Sequence, residues 1–412
     1  MEARKKLDLL ALSSVPLVMT LGNSMLIPVL PLISKNLKIN SFQVSLIISV
    51  YSIVAIFLIP IAGYLSDRFG RKNVMVPCLI IAGIGGAVSG WASWKMDDPF
   101  MFILLGRVLQ GIGSAGAAPV VIPLVGDMFT EDEQITAGLG LTETANTAGK
   151  VLSPVIGATL ATFIWFLPFL FIPFFSAISV FLVIFLVKVP KKKEKEIEPI
   201  KEFLHSVKEC FKHNGKWLFA IFLVGGIIMF VLFGILFYLS DMLEKQYAID
   251  GVKKGLLLAI PLLALSISSF ISGKKIGESK NLMKIVIVVG MGLVTVSFIA
   301  LRIQHSFFYL ISFLVITGIG IGISLPSLDA IITQRIEKDQ RGTMTSFYSS
   351  MRFIGVAAGP PAYSYFMTVS DHLIYYISGG ASLLAAIVVI VFIKSKDHHQ
   401  KDVEKWRIPK LV

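Results

Sequence analysis

The chain has 412 residues, 55% of them hydrophobic and 16% charged, with a mean hydropathy of +0.78. A water-facing surface takes about 25% charged residues, so this composition excludes a string of soluble domains. The net charge of +12 sits in short basic clusters between apolar runs, which suits an anionic membrane leaflet and argues against nucleic acid as a partner.

A helix needs roughly 20 apolar residues to cross the ~30 Å hydrocarbon layer. Runs of that kind fall at about 8–33, 43–66, 73–94, 99–126, 135–162, 164–188, 217–241, 254–273, 282–302, 306–333, 343–368 and 373–393. The first follows Arg4-Lys5-Lys6 and continues to Leu32 without a small-residue cleavage site, so it reads as a retained span rather than a signal peptide. Of the 38 lysines and arginines, 28 fall on the side of the two termini, 7 on the other side, and Arg107, Lys150 and Arg352 inside spans. Both termini are therefore expected in the cytoplasm. Asp127, Glu131, Asp132 and Glu133 make one turn on that side acidic, but acids weigh little in orientation. Cys78 lies in a span and Cys210 in a loop, so no disulfide is implied.

The expected architecture is an all-α membrane protein of twelve transmembrane helices in two six-helix halves. Residues 1–188 form the first half, 189–216 a cytoplasmic linker, 217–394 the second half and 395–412 a cytoplasmic tail. In the linker, Ile200, Phe203, Leu204, Val207 and Phe211 share one helix face opposite Lys201, Lys208 and Lys212, a pattern for an amphipathic helix on the inner leaflet. The halves echo each other at a shift of about 207 residues. Gly111-Ile-Gly113 with Pro119 recurs as Gly318-Ile-Gly320 with Pro326, and Arg68-Phe-Gly70 as Lys275-Ile-Gly277. One residue out of step, Gly149 with Ser153-Pro154 recurs as Gly355 with Gly359-Pro360. Two such repeats imply a pseudo-two-fold axis along the membrane normal and a binding site between the halves.

Between spans two and three stands Gly63-Tyr-Leu-Ser-Asp67-Arg68-Phe-Gly70-Arg71-Lys72. Gly63 permits close helix contact, Asp67 can pair with a basic group, Gly70 allows a tight reversal, and Arg71-Lys72 hold the loop inside. This segment resembles the signature loop of the major facilitator superfamily at every defining position. The resemblance implies the fold of that family and a charge network of Asp67 and Arg71 that latches the cytoplasmic gate. Span one, with Leu21-Gly22 and Pro28-Val-Leu-Pro31, resembles the first helix of the family's twelve-span drug exporters, and its prolines should free carbonyls and bend it. Span four carries Arg107-Val-Leu-Gln110-Gly111, again similar to the family's pattern, with Arg107 about 12 Å deep. An arginine there must face a cavity or a partner. In span five, Gly140, Gly149 and Ser153-Pro154-Val-Ile-Gly157 resemble the family's antiporter signature, with helix packing as the plain reading of the same small residues.

Span five also holds Glu143 and Lys150, seven residues and ~10 Å apart on nearly one face, with Arg107 expected between them in depth. Glu143 is the first choice for proton carrier, with Arg107 as a nearby cation in the same coupling group, and Asp329 in span ten is the second. A permanent ion pair is the alternative for the first, a gate anchor for the second. Asn23, Gln110, Asn146, Lys150, Phe230, Phe233 and Arg352 are expected to line the substrate cavity. No histidine is placed near mid-membrane, which leaves no imidazole relay and no metal site. No nucleophile–base–acid grouping suggests an enzyme.

The function expected from this pattern is a monomeric, proton-coupled multidrug-type antiporter, driven by the gradient without a cofactor and exporting drugs or amphipathic metabolites. A slight excess of intramembrane cations favours anionic cargo and keeps a second reading open, a specific exporter of a metabolite such as a siderophore. A third is a proton-coupled importer of a small polar solute.

Overall fold

A computed structural model describes residues 3–129, 132–188, 200–275, 279–303, 306–336 and 338–393; the tail expected at 395–412 lies outside them. Among the described residues the regular structure is entirely helical. The first span is α1 (Ala3–Ser24), a 3-10 turn (Ile27–Val29) and α2 (Leu30–Leu37). Spans two to seven are α3 (Ser41–Phe69), α4 (Arg71–Lys95), α5 (Phe100–Met128), α6 (Asp132–Phe163), α7 (Leu167–Leu186) and α8 (Ile200–Lys245). Spans eight to twelve are α9 (Gly251–Lys275), α10 (Lys280–Leu301), α11 (Phe307–Arg335), α12 (Lys338–Val369) and α13 (Asp371–Phe392). The end of the bundle where α1 starts and α13 finishes is the near end; the opposite one is the far end.

The break in the first span follows from its prolines. Pro28 and Pro31 bring no N–H to the carbonyls four residues earlier, so the α-ladder gives way to the 3-10 turn. The carbonyl of Ile27 accepts the Leu30 N–H and, on its other side, the hydroxyl of Ser240 at 2.9 Å. The linker differs from expectation. Residues 200–216 are not a separate helix but the beginning of one 46-residue helix that continues into span seven. No proline lies between Ile200 and Lys245, and nothing else obliges the backbone to break.

The packing repeats with a shift of six spans. In the first half α1 packs on α6 and α7, α3 and α4 on α5, and α4 on α7. In the second half α8 packs on α12 and α13, α9 and α10 on α11, and α10 on α13. The two seams between halves are also equivalents of each other, α3 against α12 and α6 against α9. Lys72 at the start of α4 donates to the carbonyls of Ile184 and Val187 at the end of α7, both at 2.8 Å; Lys284 in α10 donates to Ile390 in the last turn of α13, also at 2.8 Å. Each ammonium thereby caps a helix C-terminus, where orphan carbonyls and the helix dipole favour a cation.

Among the described residues, ten helices are long and apolar enough to cross a membrane. The remaining two long helices, α6 and α12, are pseudo-equivalent and carry the polar residues, among them Glu143, Asn146 and Lys150 in one, Ser346, Tyr348 and Arg352 in the other. Both lie on a seam between halves. At the far end the apolar core runs without interruption from Leu26, Ile33 and Ile47 of the first half into Leu236, Leu239 and Leu243 of the second. At the near end the first half keeps a core of its own, from Leu9 to Met19 against Leu79 and Leu124. The halves are sealed at the far end.

Candidate functional site

The signature loop is built as its residue types suggest. Gly70 has φ +96°, a conformation costly for any residue with a Cβ, and it joins α3 to α4 without an intervening loop. A methyl on Gly63 would stand 3.3 Å from Ser346 Oγ, so this glycine sets the approach of α3 to α12 of the other half. Arg71 gathers Asp67 at 2.8 Å, Asp127 at 3.0 Å and the Ser66 hydroxyl at 3.1 Å. Asp127 belongs to the acidic turn that the sequence pattern left without a role; its acid among cations was the signal. Arg68 stands apart, its guanidinium over the Phe69 ring at 5.4 Å.

Arg107 is fully buried, but not where the spacing suggests. Its Nε donates to Ile47 O at 2.6 Å, one terminal nitrogen to Gly22 O at 3.3 Å and to Gln110 Oε1, the other to Asn23 Oδ1 at 2.5 Å. The cation lies 4.6 Å from the Tyr51 ring centroid. Among the described residues every partner is neutral, and none lies on α6. The expectation that Arg107 falls between Glu143 and Lys150 is therefore corrected: α5 turns this face to α1 and α3. Asn23 and Gln110 go with it. Both are buried and turned to the guanidinium instead of lining a cavity.

The antiporter-like segment of α6 is a packing device over part of its length. A Cβ on Gly157 would strike the Met25 carbonyl in the broken part of the first span, and one on Gly149 would stand 3.1 Å from Leu17 O. Ser153 is buried and returns its hydroxyl to Lys150 O at 3.1 Å, the carbonyl that Pro154 leaves without an amide. Pro154 O and Val155 in turn receive Gly255 of α9. Gly140 does not pack: it is exposed with nothing within 4 Å. Nine residues separate it from Gly149, two and a half turns, which puts it on the opposite face.

Four charged side chains meet across the halves near the middle of the bundle. Glu143 and Lys150 project from α6, Asp329 from α11 and Arg352 from α12, all within electrostatic reach of one another. Glu143 is exposed; the Asn146 amide donates to its two oxygens at 3.2 and 3.3 Å, and the Thr20 hydroxyl fixes Asn146 Oδ1 at 2.5 Å. Asp329, 46% exposed, stands 3.6 Å from Arg352, 24% exposed. Lys150 forms no ion pair within 4 Å among the described residues. Tyr348, missed in the sequence reading, lies one turn before Arg352 with the guanidinium 5.6 Å from its ring. Phe230 and Phe233 are half-buried against the core of the second half, Phe230 edge-on to Tyr363 at 5.6 Å. They brace the seam of α8 with α12 instead of forming an open wall.

This fold, with repeated six-helix packing and its polar helices on the central seams, defines a multi-pass membrane transporter. The chain belongs to the Major Facilitator Superfamily, whose family model matches residues 12–283 and 242–410. It is 59% identical over 395 residues to the bacillibactin exporter of Bacillus subtilis (strain 168), covering 96% of this chain and 98% of that one. It is 25% identical over 393 residues to the class E tetracycline resistance protein of Escherichia coli, 90% of this chain and 92% of that one. Among solved structures, the human organic anion transporter MFSD10 (TETRAN) superposes with a TM-score of 0.74 at 18% identity, over 94% of this chain and all of that one, a likeness of fold.

Proposed function

We propose that this protein exports a specific anionic metabolite, bacillibactin or a close analogue, from a bacterial cell. The observation that carries this reading is the 59% identity over nearly the whole of both chains to a bacillibactin exporter. It favours the narrower alternative over broad drug export, since the tetracycline resistance relative stands at 25% identity. The near end is the cytoplasmic one, on the strength of the lysine and arginine count. Lys150 and Arg352, one from each half, offer positive charge to the cargo. The chain works as a monomer in the cell membrane without a cofactor. Protons drive it, with Glu143 and Asp329 as the carboxylates within reach of those cations.

Inverted membrane vesicles test the reading. With an acid interior, vesicles containing the protein should accumulate bacillibactin and lose it when a protonophore is added. Accumulation indifferent to the gradient removes proton coupling. Accumulation no greater than in vesicles without the protein removes the substrate, and preferential uptake of tetracycline restores the drug-export reading.

A further inference from the structure

The central cluster contains donors that the protein itself does not use. Arg107 shows what this chain does with a cation whose role is internal: five N–H groups, four acceptors around them. Arg352 is the opposite case. Among the described residues its guanidinium finds no acceptor in good hydrogen-bond geometry, and its one ion pair is open to 3.6 Å. Lys150, facing it from the other half, has no hydrogen bond from its ammonium among the described residues. Beside Arg352 lies Tyr348, 3% exposed, with a hydroxyl that has no hydrogen-bond partner among the described residues. Asp329 and Arg352 are its charged neighbours, short of hydrogen-bond geometry. A buried hydroxyl costs free energy when unpaired, and the Arg352 cation left open beside it, with Lys150 within electrostatic reach of that cation, adds to that cost. An arriving anionic oxygen would satisfy these donors together.

We propose that Tyr348, Arg352 and Lys150 form an oxyanion subsite that binds an acidic oxygen of the exported molecule. The Tyr348 hydroxyl donates to the oxygen, Arg352 offers two parallel N–H groups, and Lys150 closes the site from the other half. Because the donors come from both halves, an occupied subsite bridges the seam that must part during transport. The proposal rests on the reading that the cargo is an anion.

The test is binding to the purified full-length chain in lipid nanodiscs. The ligands are bacillibactin and three small probes: benzoate for a carboxylate, catechol for an acidic phenol, and methyl benzoate as the neutral control. The unsubstituted chain should prefer the acidic probes to the ester. Tyr348→Phe keeps the ring that stacks on Phe222 and should weaken binding of the preferred acid about tenfold, leaving the ester unchanged. Arg352→Gln should erase the preference. The subsite falls if Tyr348→Phe binds every ligand as the unsubstituted chain does, or if acid and ester bind alike, even where bacillibactin is bound. Discrimination among the probes without affinity for bacillibactin leaves the subsite standing and sinks the functional reading.

A separate observation carries a second inference. In α12, Pro360 and Pro361 follow Ala357 by three and four residues, so the Ala357 carbonyl has neither a 3-10 nor an α-helical donor. Its partner is the buried hydroxyl of Ser49 in α3, across the seam, at 2.7 Å. Ser49 also reaches Ser45 O within its own helix at 3.1 Å. We infer that this bond is a latch on the sealed far end. Parting of the halves leaves the hydroxyl its intrahelical acceptor and gives the carbonyl to entering water, so the latch opens without stranding a polar group.

Spin labels at Lys38→Cys and Lys253→Cys, on far-end turns of the two halves, with Cys78→Ala and Cys210→Ala, report the opening. Ser49→Ala should raise the long-distance population several-fold, and Ser49→Thr should restore it toward the original. In a Pro361→Ala background, where Ala357 O regains an N–H, Ser49→Ala should add nothing. An unchanged distance distribution in Ser49→Ala, or an equal effect in both backgrounds, overturns the latch.

Discussion

At the scale of single residues, the contrast between Arg107 and Glu143 decides what each can do. Arg107 is locked into carbonyls of α1 and α3, with the Asn23 and Gln110 amides completing its shell. Lysine has three donors on a single nitrogen and cannot serve four acceptors in those directions. Arg107→Lys should therefore cost about 3 kcal/mol or more in stability, seen as a lower unfolding temperature of the purified protein, where a freely exposed arginine would tolerate the change. Glu143 is exposed, held by Asn146 and unlocked by any ion pair among the described residues. Glu143→Gln keeps the amide contact and removes the titratable oxygen. Proton-driven transport should stop while exchange of substrate down its own gradient continues; unaltered coupled transport would move the carrier role to Asp329. The depth of Arg107 was legible from its position in an apolar run. Its partners were not, because the rotation of α5 depends on neighbours far away in sequence.

At the scale of elements, the prolines and glycines explain the contacts. The broken stretch Met25–Val29 presents backbone oxygens sideways, and α6 accommodates one of them only because Gly157 has no side chain. Gly157→Val should displace α1 from α6 and abolish transport, with loss of folded protein in a size-exclusion profile. Gly140→Ala should leave both unchanged, since the space around Gly140 is open. Equal damage from the two would mean that the motif acts through something other than this contact. The spacing alone put all the small residues of span five in one packing motif; the 3.6-residue period divides them between two faces. The same limit applies to α8. An amphipathic pattern identified residues 200–211 as helical, but a pattern cannot tell a helix that ends from one that continues.

For the whole molecule, the repeat governs the design. The seams of α3 with α12 and of α6 with α9 exchange under the pseudo-two-fold relation, and the polar helices α6 and α12 are its paired members. Orientation remains a matter of charge: alkaline phosphatase fused after Val412 should be inactive and a fluorescent protein there bright, the reverse of what an exterior C-terminus gives.

The sequence by itself determined twelve spans, their expected orientation, the repeat and the family, because these rest on apolar run length, charge counts and local motifs. It also marked Glu143, Lys150, Asp329 and Arg352 as unusual, since ionisable groups stand out in an apolar run. Only the tertiary structure decided that these four meet across the halves while Arg107 does not join them. It alone exposed the idle hydroxyl of Tyr348 and the Ser49 bond to Ala357. Those facts depend on which face each helix turns to its neighbours, a property of packing between segments hundreds of residues apart, and no local pattern carries it.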